Sequence, residues 1–233
     1  MCNLPPRSSY INNVNNLRKQ VYQNVLWGNR EIHSFIEQAQ KTIISRETHC
    51  CGSTLHRGYH HPSPVYDLIV GNTKRGKLNT KSNHQLTHRY YYNSEDKLVR
   101  IEYLHADRVS YIEYLNYCGQ SIKGITVDCN GFLSAVTEER YSDNRINFFS
   151  ITRCYHVGDD DKCFDYHEEE YYYDYLGLCE CHFVNFTPQN GHLVDRTYTF
   201  DRDSGFLVAF SPDATDINAD RRVRYTIRKK RKA

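Results

Sequence analysis

Methionine and tryptophan occur once each in this 233-residue chain. No apolar run approaches the roughly 18 residues that a membrane-spanning helix needs, so a helical anchor is excluded within the sequence. The opening MCNLPPRSSY also lacks the apolar stretch of a secretory signal. Neither charge sign dominates: 30 Lys and Arg stand against 28 Asp and Glu, a formal net charge of +2 that by itself selects no partner. Linear catalytic signatures are missing too. There is no GxSxG, no Walker loop, no HExxH and no GxGxxG after a strand, which excludes the enzyme classes that depend on them. An enzyme needing no linear motif, such as a histidine-dependent nuclease, stays open. Nine cysteines are present, but the number is odd and the chain is long enough not to need staples. Reduced thiols in a cytoplasmic protein are the expectation.

What is abundant is tyrosine, with 20 residues, joined by 10 Phe. Tyrosine suits a half-buried strand, where the ring covers the sheet and the hydroxyl stays wet. Helical spacing is confined to the first part of the chain. Val14, Leu17, Val21 and Val25, then Ile32, Phe35, Ile36, Ala39 and Ile43, recur at three and four residues. This predicts helix over 13–46, split or kinked at Gly28-Asn29, after a loose lead-in over 1–10. The stretch 47–64, rich in His, Gly, Ser and Pro, reads as a connector. Beyond it the period becomes two. Val99, Ile101 and Tyr103 oppose Arg100 and Glu102, and Val109 and Tyr111 oppose Ser110 and Ile112. Turn-forming clusters of Asn, Asp, Gly and Ser break such runs about every ten to fifteen residues. The fold class expected is α+β: an N-terminal helical segment and connector (1–64), a large twisted antiparallel sheet (65–213) of about nine to eleven strands, and a polar, basic tail (214–233), all in one structural unit.

Four segments share a turn pattern: "YYYNSEDKL" at 90–98, "TVDCNGFL" at 126–133, "YYYDYLGLC" at 171–179 and "YTFDRDSGFL" at 198–207. In the first three, Asn93, Asp128 and Asp174 are followed at +3 by Asp96, Gly131 and Gly177, and at +5 by Leu98, Leu133 and Cys179. In the fourth, Gly205 and Leu207 follow Asp201 at +4 and +6. Asp or Asn hydrogen-bonds the backbone two residues on, and glycine supplies the positive φ that closes the turn. The returning apolar residue should then meet the ring preceding the Asp or Asn on the partner strand. The pattern resembles the YD repeat of Rhs-type proteins over about 85–210. That resemblance implies twisted antiparallel hairpins and leaves open a structural or carbohydrate-binding module.

Two groups of candidate ligands stand out. Cys51, His56 and His60 have part of a zinc-finger spacing but lack a second cysteine upstream. Asp159, Asp161, Asp165 and Glu170 match positions of a calcium loop whose required glycine is Phe164. Neither set is complete, and no metal or other cofactor is expected. The acidic stretch 159–171 suits another role. Asp159, Asp160, Asp161, Asp165, Glu168, Glu169 and Glu170, with Tyr166 and Tyr171 as anchors, would form a surface complementary to a basic cleft. Nucleases have such clefts because they grip phosphate backbones. The expectation is a non-enzymatic protein whose partner is a cognate toxin domain, an immunity protein occluding the toxin's basic active site. Such toxins often end Rhs-type proteins, so the YD-like look agrees with this reading. The alternative class is a histidine-dependent nuclease or effector that holds nucleic acid through its basic tail, 221–232.

Overall fold

A computed structural model describes residues 7–50, 77–78, 86–157, 161–203, 206–210 and 224–226, with side chains described over 13–48, 86–155 and 164–200. One helix, α1 (Arg7–Thr42), leads directly into a strand, β1 (Ile43–Cys50). The remaining strands are β2 (Lys77–Leu78), β3 (Leu86–Asn93), β4 (Leu98–His105), β5 (Arg108–Cys118), β6 (Ser121–Asp128), β7 (Leu133–Ser142), β8 (Arg145–Val157), β9 (Asp161–Asp174), β10 (Gly177–Thr187), β11 (His192–Asp203), β12 (Phe206–Phe210) and β13 (Arg224–Thr226). All thirteen form a single sheet. From β3 to β13 each strand pairs antiparallel with the next, and β1 lies beyond β3 with β2 outermost. The α+β arrangement and the antiparallel meander are as the sequence predicts. Among the described residues eleven strands, β2 to β12, fall within the span where nine to eleven are expected. β1 and β13 are additions, taken from the predicted helix end and connector and from the predicted tail.

The turns bear out most of the hairpin chemistry. Asn93 Oδ1 accepts the backbone N–H groups of Glu95 and Lys97 at 3.0 and 2.9 Å. Asp128 Oδ1 accepts those of Asn130 and Phe132, both at 2.9 Å. Asp174 Oδ1 accepts those of Leu176 and Gly177 at 2.7 and 2.9 Å. The positive φ falls at Asp96 (56°), Gly131 (84°) and Gly177 (127°). Tyr92 pairs with Leu98 and Val127 with Leu133, as the spacing requires. Two details differ. Tyr173 pairs with Leu178 rather than Cys179, because the third turn is one residue tighter. β11 continues through Asp201, so Phe200 opposes Ala209, and the fourth turn starts only after Asp203.

The helix does not break at Gly28. A Cβ built there would stand 2.6 Å from Val136 Cγ2 and 2.9 Å from Leu133 Cδ2. The glycine is where α1 presses onto β7, a close approach that a stop signal resembles in sequence. Its neighbours at helical spacing, Val14, Leu17, Val21, Phe35 and Ala39, are buried against Tyr114, Ile125, Val127, Leu133, Val136, Phe164, Tyr166, Val184 and Phe186 of the sheet. Gly28→Val is therefore expected to cost about 1–3 kcal/mol by overpacking, against the usual gain from removing a helical glycine. A urea midpoint unchanged or raised by this substitution would mean that the contact is not tight.

α1 crosses the sheet diagonally. Near its start Arg18 Nε donates to Pro188 O at 3.1 Å, in the β10–β11 turn. Asn24 Nδ2 then meets Thr152 Oγ1 on β8 at 2.9 Å, and Gln38 Nε2 meets Asn116 Oδ1 on β5 at 3.3 Å. Because the meander alternates ends, the β3–β4, β5–β6, β7–β8 and β9–β10 turns share one end of the sheet. The diagonal leaves open the quarter of the helix-bearing face next to the β7–β8 and β9–β10 turns.

Candidate docking surface

Strand parity decides what the acidic stretch does. On β9, Phe164 and Tyr166 lie under the helix, and Glu168, Glu170 and Tyr172 continue the same face. His167, Glu169 and Tyr171 point to the opposite face, where Tyr171 packs with Phe149, Cys181 and Phe183. The run of three glutamates is thus two different things interleaved.

The odd members are structural. Glu169 is 0% exposed and His167 1%. His167 Nε2 pairs with Glu169 Oε1 at 2.6 Å, and Tyr171 Oη donates to Glu169 Oε2 at 2.6 Å. Cys181 Sγ lies 3.8 Å from the same Oε2, and burial, reinforced by the Glu169 charge, pushes its thiol pKa far up. Two more buried carboxylates share this face. Glu139 accepts from Tyr141 Oη at 2.7 Å. Glu113 accepts from Tyr103 Oη at 2.8 Å and from Thr137 Oγ1 at 3.3 Å. A carboxylate cannot be buried cheaply without donors, and a tyrosine on the same face supplies one, two residues away for Glu139 and Glu169 and on the next strand for Glu113. That is why charge and aromatic surface are packed together in this chain.

The even members lie beside the helix on its face of the sheet, Glu168 and Glu170 half-buried and Tyr172 exposed. Register places Glu170 between Phe148 and His182, Glu168 between Ser150 and Val184, and Tyr172 opposite Glu180. Glu138 and Arg140 follow on β7, opposite Ser150 and Phe148, and Asp195 on β11 opposite Val184. Five carboxylates (Glu138, Glu168, Glu170, Glu180 and Asp195) therefore share one open quarter of the sheet. Arg140 lies over the Phe148 ring at 4.0 Å and pairs with Glu138 at 2.9 Å, and His182 pairs with Asp195 at 2.7 Å. Tyr172 Oη donates to Glu170 Oε2 at 3.1 Å, and Tyr166 Oη donates to Glu168. Burial raises the Glu168 pKa, the Tyr166 hydroxyl opposes this, and the nearby Glu170 charge adds to it. Burial and then Glu168 hold the Tyr166 hydroxyl firmly protonated.

Of the residues expected on this surface, Glu168 and Glu170 are placed on it. Tyr166, Glu169 and Tyr171 are buried, with 0%, 0% and 4% exposure, so the two tyrosines are not the accessible anchors expected and Glu169 is not a surface carboxylate. Asp165, half-buried, lies on the other face, where Arg153 Nη1 and Tyr155 Oη donate to it at 3.1 and 3.0 Å. Asp161 is in β9 with its side chain outside the described set, and Asp159 and Asp160 lie outside the described residues. Glu138, Tyr172, Glu180 and Asp195 were not anticipated. Parity along β9 could have exchanged Tyr171 for Tyr172, but Glu138 and Asp195 join only through the sheet register.

The calcium-loop spacing is not a loop. Asp161, Asp165 and Glu170 belong to one extended strand, and nine residues of strand at about 3.3 Å each hold its ends about 30 Å apart. Cys51, His56 and His60 lie outside the described residues. Among the described residues no group of His, Cys, Asp or Glu could hold a metal ion, no helix is long and apolar enough to cross a membrane, and Cys118, Cys129, Cys179 and Cys181 are free thiols. On the face away from the helix, a cleft of about 370 Å³ opens beside the β5–β6 and β7–β8 turns, lined by Tyr117, Ile122 and Tyr141 with Asp143 as its carboxylate.

Comparison with known proteins adds no relative. No protein-family model matches the sequence, and no curated protein is similar to it. The likeness to YD repeats rests on turn chemistry: Asn93, Asp128 and Asp174 each close a hairpin through the side-chain oxygen.

Proposed function

We propose that this chain is a non-enzymatic binding protein that covers a basic surface of another protein, in the manner of an immunity protein occluding the active site of a toxin domain, with a nuclease as the best-fitting toxin class. The observation that carries this reading is the gathering of five carboxylates on one quarter of a sheet that α1 leaves open. A sheet holds these groups in fixed positions, so little ordering entropy is lost when they meet their counter-charges. Like-signed charges arrayed this way raise the encounter rate with a basic partner and reject acidic ones. Arg140 and His182 are engaged with Glu138 and Asp195 and offset only part of the field.

The test is affinity purification from the native host at low and high salt, comparing the wild-type chain with Glu168→Lys/Glu170→Lys. The expected result is a basic protein retained at low salt, lost by the double variant and weakened by salt. Retention unaffected by charge reversal would remove the platform as the docking site. Degradation of RNA or DNA by the purified chain, with or without divalent metal, would overturn the non-enzymatic reading.

A further inference from the structure

Three turns are closed by an Asn or Asp side-chain oxygen, the third of them one residue tighter, and one tip departs from the others in composition. After Asn93 the tip residues are Ser94 and Glu95, and after Asp128 they are Cys129 and Asn130. After Asp174 they are Tyr175 and Leu176, 91% and 62% exposed. The turn itself asks nothing of these two side chains. Its geometry is set by the Asp174 Oδ1 hydrogen bonds and by the positive φ of Gly177. Both side chains project into solvent and polar residues occupy the tips of the other two turns, so the apolar pair is not packed for the fold. Exposed apolar residues cost solubility and are a recognised mark of contact surfaces when they sit together.

The place of this tip is as informative as its composition. It caps the β9–β10 hairpin, and the first platform residues on those strands are Tyr172, 49% exposed, and its register partner Glu180. Tyr172, Tyr175 and Leu176 thus form an apolar edge on the acidic quarter of the sheet. Phe132, the other exposed turn ring, lies at the opposite end of the meander. A tyrosine projecting from a hairpin and rimmed by charge matches the composition of an interface anchor, and Leu176 beside it extends the apolar area.

We infer that Tyr175 and Leu176 are the anchor of the docking surface, and that the partner presents an apolar pocket flanked by Lys or Arg. This rests on the platform reading above and names the chemistry of its partner. The carboxylates steer and orient, while the tip is inserted and desolvated. The partner's pocket then has one wall of apolar side chains and a basic rim meeting Glu170 and Glu180.

The probes are short immobilised peptides with a central Leu-Ile-Val triplet flanked by Lys and Arg, with the same triplet flanked by Asp and Glu, and with a central Ser triplet flanked by Lys and Arg. The protein is used as the full chain in three forms: wild type, Tyr175→Ser/Leu176→Asn, and Glu168→Lys/Glu170→Lys. The tip variant places small polar residues at exposed positions, and unchanged unfolding midpoints show that both variants fold. The expected result is binding of the basic, apolar-centred peptide only, weakened about tenfold or more by the tip variant and also by charge reversal. Equal binding of the Ser-centred basic peptide, with no effect of the tip variant and loss on charge reversal, overturns the anchor while the platform stands. Binding that ignores charge reversal overturns the platform reading, and with it the partner chemistry inferred here.

Discussion

Gly124→Val is expected to lower the unfolding free energy by about 3 kcal/mol or more. In an ordinary strand this substitution would help, since valine is a better strand residue than glycine. At Gly124 the sign reverses, because β6 passes directly beneath a buried carboxylate. A Cβ there would collide with Thr137 Oγ1 on β7 and stand 2.9 Å from Glu113 Oε1 and 3.1 Å from Leu115 Cδ2 on β5. Thr137 and Glu113 are 5% and 2% exposed and hydrogen-bonded to each other across the glycine. Any side chain at 124 must separate them, which adds the loss of a buried, charge-assisted hydrogen bond to the cost of overpacking. Gly124→Ala should show a reduced form of the same effect. Combining it with Thr137→Ala, which removes the colliding oxygen, should cost less than the two single changes added together. Strict additivity in urea denaturation would show that the two sites do not share this space.

Glu169→Ala is the second large effect, about 3–5 kcal/mol. Glu169 is the acceptor for both Tyr171 Oη and the His167 ring, with Cys181 and Phe183 packed around it. Alanine removes that shared acceptor and also leaves a void among large side chains, so desolvation and cavity costs add. Against a total stability of about 5–15 kcal/mol this is a large share. Equilibrium unfolding followed by far-UV circular dichroism reads it directly. An alanine variant within about 0.5 kcal/mol of wild type would mean that the cluster is not a buried polar network.

The helix and the hairpins were legible because their signals are local. Val14, Leu17, Val21, Phe35 and Ala39 repeat at the helical period and form the buried stripe. Asn93, Asp128 and Asp174 each carry a turn within a few residues. Period two along β9 also separates Tyr171 and Tyr173, which pack in one cluster, from exposed Tyr172. Failures came where a residue type has two uses. Gly28 reads as a helix break and serves as a packing contact with β7. Ile43–Cys50 follows the helix with no breaker between them, so nothing marks the change of state. Ala106-Asp107 and Asp143-Asn144 close two-residue hairpins with φ near +47° to +63° and no glycine. Glutamate in a strand reads as solvent-facing, yet Glu113, Glu139 and Glu169 are buried on the face away from the helix. The clue available was Glu-x-Tyr, which puts a hydroxyl beside a carboxylate on one face, as at Glu139 with Tyr141 and Glu169 with Tyr171. The docking surface was half legible, since Glu168 and Glu170 lie in the acidic run, while Glu138 and Asp195 arrive from strands far away in sequence.

The account turns on alternate glutamates of β9 having opposite duties, and one set of urea unfolding curves tests that most directly: Glu168→Gln, Glu169→Gln and Glu170→Gln side by side. Glu169→Gln is predicted to lose about 2 kcal/mol or more, because one of the two oxygens that meet His167 and Tyr171 becomes an amide NH2, which cannot accept. Glu170→Gln should stay within about 0.5 kcal/mol of wild type, as an outward-facing group does. Glu168→Gln should be neutral or mildly stabilising, since burial already disfavours its charged form. Equal losses at all three positions, or the largest at 170, would contradict the assignment of faces and remove the platform with it.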